Sequence, residues 1–163
     1  MIEPGQVIVQ KWFEMQGYFL QTNVKYKVPR NYSDIDLIGI NKNGEGLVVE
    51  VKSWVQYAIG VKEGKDLIRR LSSNKTLSRK IERTIGKRKT KKVLVLTQLS
   101  KWTMAKLDKF AKARHVQIVT MDNLLTSLIQ HLDLGPSYDD EALQVLRIIK
   151  AYKKRGMTIV SAI

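Results

Sequence analysis

Two apolar runs joined by a turn constrain this chain more than any other feature. "DLIGIN" and "GLVVEVKSW" are rich in β-forming residues and flank the turn sequence "NKNGEG". Neither run alternates apolar with polar residues. Both faces of the resulting hairpin must therefore be covered, as in a sheet sandwiched between layers of helices. Yet the segment carries Asp34, Asp36, Glu50 and Lys52. Charges inside a packed core are paired, bound to metal or put to chemical use.

A hairpin folded about Asn43 sets residue 36 opposite residue 50. Side chains alternate along a strand, so Glu50 and Lys52 share a face, as do Asp34 and Asp36, and directly opposed residues point to the same side. Asp36, Glu50 and Lys52 can thus converge on one small site. Two adjacent carboxylates repel unless a proton or cation lies between them, and for hard oxygen ligands the expected cation is Mg²⁺ or Mn²⁺. The Lys52 ammonium could orient or help deprotonate a water, or steady the charge of a phosphorane-like transition state. Phosphodiester hydrolysis is the chemistry that fits. The structural alternative is a partly buried salt bridge in which Lys52 neutralises Glu50 or Asp36.

Around the hairpin, Gly5 to Gly17 reads as a helix with Val9, Trp12, Phe13 and Phe19 marking an apolar side, and "YFLQTNVKYKV" as an early strand, with a loop from Pro29 to Ser33. Asp66 to Ile85 reads as helical, with a break at Ser72 to Asn74, and a basic loop "GKRKTKK" leads into the strand "VLVLTQ". Ser100 is placed to cap a helix, "VQIVTM" forms a strand, and Asp122 is placed to cap the next helix. Strand, helix, strand, helix implies a mostly parallel segment with right-handed crossover. "DLGPSYDDE" reads as a linker, Glu141 to Lys154 as a last amphipathic helix and "MTIVSAI" as a terminal strand.

The 163 residues contain no cysteine, which excludes disulfides and thiolate chemistry. His115 and His131 are too far apart in sequence to suggest a histidine metal site, so any metal sits on oxygen. With no bilayer-length apolar run and no secretory signal pattern at the start, the expectation is a cytoplasmic protein without membrane association. The net charge is +14, and the segment from Lys62 to Lys92 holds most of the excess, with 13 Lys or Arg against Glu63, Asp66 and Glu82. Such a block suits a polyanion, nucleic acid first. Its members Lys62, Lys65, Arg69, Arg70, Lys75, Arg79, Lys80, Arg83, Lys87, Arg88 and Lys89 are candidates to hold phosphates, giving affinity and position without sequence information. Tyr26, Tyr32, Trp54 and Tyr57 flank the hairpin site and are candidates to stack on bases, although aromatics beside strands more often fill a core.

An aspartate opening one strand followed by Glu-x-Lys on the next, here Asp36 and Glu50-Val51-Lys52, resembles the PD-(D/E)XK nuclease superfamily. The surroundings agree: a helix ending at "QGYF", the hairpin, then "KKVLVLTQLSKWTMAKLDKFAKARHVQIVTMDNLLTSLI", an order similar to archaeal Holliday-junction resolvases and Mrr-type restriction endonucleases. The resemblance implies a restriction-endonuclease-like α/β fold, a mixed β-sheet flanked by helices with an added C-terminal helix. Residues 1–134 would form the nuclease-like core, including the basic helical segment at 62–92. Residues 135–163 would add a C-terminal helix and strand, in the same domain or at a dimer interface. It further implies a Mg²⁺- or Mn²⁺-dependent DNA endonuclease, with branched or junction DNA as a candidate substrate and a homodimer as the working unit. Asp36 and Glu50 would be metal ligands, the Val51 carbonyl a further ligand and Lys52 the catalytic lysine. Asp34 is an alternative ligand or a support for the ligands, and Ser53 is placed to contact a phosphate. Related nucleases often carry a glutamate about eleven residues before the glycine that ends the first helix; this chain has Gln6 there, and neither Glu3 nor Glu14 falls at that position. Gln6 keeps open a nuclease-fold nucleic-acid-binding protein with weakened or lost catalysis. A basic structural protein with only an ion-pair network is the third reading.

Overall fold

The structure, a computed structural model, describes residues 4–52, 59–97, 99–135 and 139–154. Helix α1 (Pro4–Met15) leads through Gly17, at φ 84°, into β1 (Tyr18–Val28), β2 (Asn31–Asn41) and β3 (Gly46–Lys52). Helices α2 (Val61–Ser73) and α3 (Lys75–Ile85) precede β4 (Thr90–Leu96), α4 (Lys101–Lys112), β5 (Val116–Thr120), α5 (Met121–His131) and α6 (Glu141–Lys154). The sheet runs in the order β1-β2-β3-β4-β5, antiparallel between β1, β2 and β3 and parallel between β3, β4 and β5. It is the mixed, helix-flanked sheet expected of a restriction-endonuclease-like fold.

Both faces of β3 are covered, as its unbroken apolar run requires. Every residue from Gly46 to Val51 is buried. On one face Val48 and Leu94 pack against Ile68 and Leu71 of α2, Leu77 and Ile81 of α3, and Leu107 of α4. On the other, Val49, Val51 and Val95 pack against Val9 and Phe13 of α1 and Leu124 of α5. Helix α6 joins through Leu143 and Leu146, which meet Leu128 and Leu132, with Trp12 alongside. Among the described residues no helix is long and apolar enough to cross a membrane.

Phe19, expected on the apolar side of the first helix, lies in β1 and is 74% exposed, and four further local expectations need correction. The loop at Pro29–Ser33 contracts to a two-residue turn, because Val28 already pairs with Asn31; Pro29 presets one central position and Arg30 takes φ 69° at the other. Helix α2 begins at Val61, five residues before Asp66, while the break falls at Asn74, within the expected Ser72–Asn74 stretch, its side chain capping α3 by accepting from the Leu77 N–H at 3.0 Å. The end of the basic loop is absorbed into β4, so Lys92 is half-buried and burial pushes its ammonium pKa down. Thr120, not Asp122, caps α5: its hydroxyl accepts from the Asn123 N–H, and Asp122 lies in the first turn, where its charge favours the helix dipole. Ser100 caps α4 as expected, accepting from the Thr103 N–H at 3.1 Å. The terminal "MTIVSAI" lies outside the described residues.

Candidate functional site

The β2–β3 ladder runs from Ile40–Gly46 to Leu37–Val49, the register in which 36 lies opposite 50. There the ladder stops. The Val51 N–H, next in line to bond β2, is taken instead by the Asp36 carboxylate, whose Oδ2 accepts it at 2.6 Å. One residue on, the Lys52 carbonyl accepts from Thr97 N–H at 3.2 Å on the β4 side. Backbone groups alternate along a strand, so the Val51 carbonyl points to the other edge, toward Asp36.

The strand geometry slips at Asp36. In the β1–β2 register the pairs Thr22–Leu37 and Val24–Ile35 are formed, and Asn23, at φ 51°, stands in the gap facing Asp36. Across that gap, Ile35 and Ile38 both pack in the α2–α4 layer while Leu37 packs in the α1–α5 layer. Gln6 of α1 fills the break. Its Nε2 donates to the Asp36 backbone carbonyl at 3.2 Å and to Asn23 Oδ1 at 3.1 Å, and the side chain is 5% exposed. A carbonyl can only accept, so the amide nitrogen faces it, and Gln6 serves as a donor that holds the strand break in place.

Glu50 is the most enclosed charge of the site, at 2% exposure. Its Oε1 accepts from Lys52 Nζ at 3.0 Å and from the Arg70 guanidinium of α2. Its Oε2 is buried with no hydrogen-bond partner among the described residues. Burial, and next to it the Glu50 charge, pushes the Asp36 carboxyl up to about 6, while the Val51 N–H and Lys52 pull the other way. Asp34 is exposed opposite Lys25, and its charge adds to the rise at Asp36.

A hard cation fits this donor set. Asp36 and Glu50 lie side by side, strand alternation puts the Val51 carbonyl on the same edge, and Glu50 Oε2 is buried without a hydrogen-bond partner among the described residues. Among the described residues no group of three or more His, Cys, Asp or Glu side chains is placed to hold a metal ion, so a cation here would rest on two carboxylates and would need water and phosphate oxygens to complete an octahedron.

The raised Asp36 carboxyl has a measurable consequence. In metal-free protein the folded state keeps a proton, between pH 3.8 and about 6, that the unfolded chain has already released. That contribution to stability is fully present below the unfolded value and is lost as pH rises through the folded one. Urea unfolding in chelator should therefore show Asp36→Asn gaining on wild type from pH 4 to 6 and holding a constant advantage above. Allowing for solvent screening, the gain is about 1–2 kcal/mol. Parallel pH profiles for the two proteins would refute the raised carboxyl.

The basic block does not form one surface. Arg70 lies on Glu50, across 20 residues of sequence, and nothing in the pattern of α2 signals it. Lys65 and Arg69 lie over the Phe110 ring at 5.2 and 5.4 Å, Arg69 also pairs with Asp66 at 2.6 Å, and Lys62 is exposed nearby. Lys75, Arg79 and Arg83 are exposed on α3, with Lys80 half-buried. Lys87, Arg88 and Lys89 are exposed at the far end of β3, where Arg88 donates to the Gly44 carbonyl and Gly46 N–H bonds Lys89. Four residues of strand, about 13 Å, separate Gly46 from Glu50. Glu14 pairs on the surface with Lys11 at 2.9 Å. Ser53, Trp54, Tyr57 and Glu3 lie outside the described residues.

No protein-family model matches the chain, and no curated protein matches it. Among solved structures it is similar to a protein of unknown function, AF1548, with 20% identity and a TM-score of 0.50 over 90% of this chain and 76% of that one. The likeness is one of fold. A repair endonuclease from Pyrococcus abyssi also aligns, with 13% identity and a TM-score of 0.44 over 74% of this chain and 47% of that one.

Proposed function

We propose that the chain is a metal-dependent DNA endonuclease that hydrolyses phosphodiester bonds. The observation that supports this reading best is the buried Glu50 carboxylate, whose Oε2 has no hydrogen-bond partner among the described residues, set beside an Asp36 carboxyl pushed up to about 6 where β2 and β3 part. Asp36, Glu50 and the Val51 carbonyl would hold Mg²⁺ or Mn²⁺, which when bound supplies Lewis-acid stabilisation of phosphate charge. Lys52, held at 3.0 Å by Glu50, presents an ammonium to the same place, where it orients the attacking water or steadies charge on the phosphoryl oxygens. The exposed cations of α2 and α3 position the DNA backbone.

A second reading, a nuclease-fold nucleic-acid-binding protein without efficient catalysis, is favoured by one feature: both Lys52 and Arg70 neutralise Glu50 through the same oxygen. Cleavage of end-labelled four-way junction, flap, duplex and single-stranded DNA in Mg²⁺, Mn²⁺ or chelator separates the two. Metal-dependent cutting is expected, with branched DNA preferred. Tight binding with no cutting on any substrate or metal would establish the second reading.

A further inference from the structure

Beyond the end of β3 the β1–β2 pair continues to Val28–Asn31 and lies over α3, burying Val24, Tyr26 and Ile35 in the layer that holds Leu77 and Ile81. Where the β1–β2 pair meets α3 there is a groove of about 310 Å³, bordered by Lys25 and Lys27 of β1 and by Arg79, Lys80 and Arg83 of α3. No acidic residue among those described lines it, and none of the five cations is ion-paired with another described residue. Asp34, opposite Lys25 in the register, forms no ion pair with it either. Cations crowded along one groove repel one another until an anion lies between them.

Two tyrosines separate this groove from an ordinary solvated face. Tyr26, part of the lining, is 3% exposed, and its hydroxyl is buried without a hydrogen-bond partner among the described residues. The hydroxyl is shielded from the groove, so a phosphate oxygen would supply its missing partner only as the lining side chains part around the ligand. Tyr32, also on the lining, is 67% exposed, an unusual position for a large aromatic. An exposed ring among cations suits nucleic acid over other polyanions, because a base offers a face on which to stack. The base must be unpaired to do so.

We infer that this groove seats the phosphodiester backbone of a single-stranded nucleic-acid segment, with one base stacked on Tyr32. Tyr32 lies four residues before Asp36 on β2, about 13 Å along the strand, so a segment held here leads toward Asp36 and Glu50 within a few nucleotides. In making an unpaired segment part of the substrate, the inference rests on the nuclease reading; the binding itself does not.

The test is fluorescence anisotropy of a labelled oligothymidylate in chelator, with inorganic polyphosphate as competitor, for wild type, Arg79→Ala/Arg83→Ala, Tyr32→Ala and Tyr26→Phe. The double arginine variant should bind at least about tenfold more weakly and lower the slope of log affinity against log salt by about 1.4. Tyr32→Ala should lose about five- to tenfold on oligothymidylate and nothing on polyphosphate. Tyr26→Phe should lose several-fold with no fall in Tm, an effect that a hydroxyl with only a packing role would not produce. Unchanged oligothymidylate affinity in the arginine variant, or equal Tyr32→Ala losses on both ligands, would overturn the inference. Cleavage assays on the same proteins keep the claims apart. Wild type that shows this binding pattern but never cuts upholds the groove and removes the nuclease reading. Cutting lost in Glu50→Ala, with binding indifferent to the groove variants, does the reverse.

Discussion

Glu50→Ala should abolish metal-dependent cleavage, lowering the rate by about 10³-fold or more, while nucleic-acid binding stays within a few-fold of wild type. Glu50 uses its two oxygens differently: Oε1 holds Lys52 and Arg70, while Oε2, buried without a hydrogen-bond partner among the described residues, is the oxygen that would bind the cation under the proposed function. Alanine removes both at once. The two released cations are each about a quarter exposed and can turn toward water, so the fold loses much less than the 3–5 kcal/mol typical of a stranded buried charge. Their positive charge is retained, which is why binding survives. Glu50→Gln is the stricter variant, because it keeps the volume and removes only the charge. It should be folded by circular dichroism and equally inactive; a Glu50→Gln protein that cuts at the wild-type rate would remove Glu50 from the site.

Gln6→Glu should cost stability and restore nothing. The Gln6 amide nitrogen donates to two oxygen acceptors, the Asp36 carbonyl and Asn23 Oδ1, in a pocket that leaves it 5% exposed. A carboxylate has no proton to give either one, and its charge would be buried near Asp36 and Glu50. Burying an unsatisfied, like-charged group of this kind costs about 2–3 kcal/mol, a fall in Tm of roughly 5–10 °C for a chain of this size. Cleavage by the variant should not exceed that of wild type. If Gln6→Glu instead cuts faster, the position is a weakened ligand site and the donor role assigned to Gln6 is wrong. Thermal melts with and without Mg²⁺ give an independent reading, since a new ligand would raise the Tm gained on adding metal.

Much of this architecture was legible in the residues because it follows from short-range periodicity. The unalternating apolar run of β3 demanded cover on both faces, and the turn at Asn41 to Gly46 set a midpoint that put 36 opposite 50. Ser100 before an amphipathic run marked the start of α4. Boundaries set by competition between neighbours were less legible: Thr120 and Asp122 can both cap a helix, and only the path of β5 gives Thr120 the extended backbone that a cap needs.

The site divides the same way. That Asp36, Glu50 and Lys52 share a neighbourhood follows from strand alternation and one turn, both local properties of sequence. What happens within it depends on contacts between segments far apart in the chain. Gln6 reaches Asp36 across 30 residues and stabilises a break in β1–β2 pairing, and Arg70 reaches Glu50 across 20. The basic block, continuous from Lys62 to Lys92 in sequence, is divided because α2, α3 and the loop before β4 point its members toward different parts of the surface. Composition determined that this chain carries a large positive charge and a few acids in an apolar hairpin. Tertiary packing decided which cation neutralises which acid, and which carboxylate oxygen has no partner among the described residues, because those distances arise only when helix and sheet close on each other.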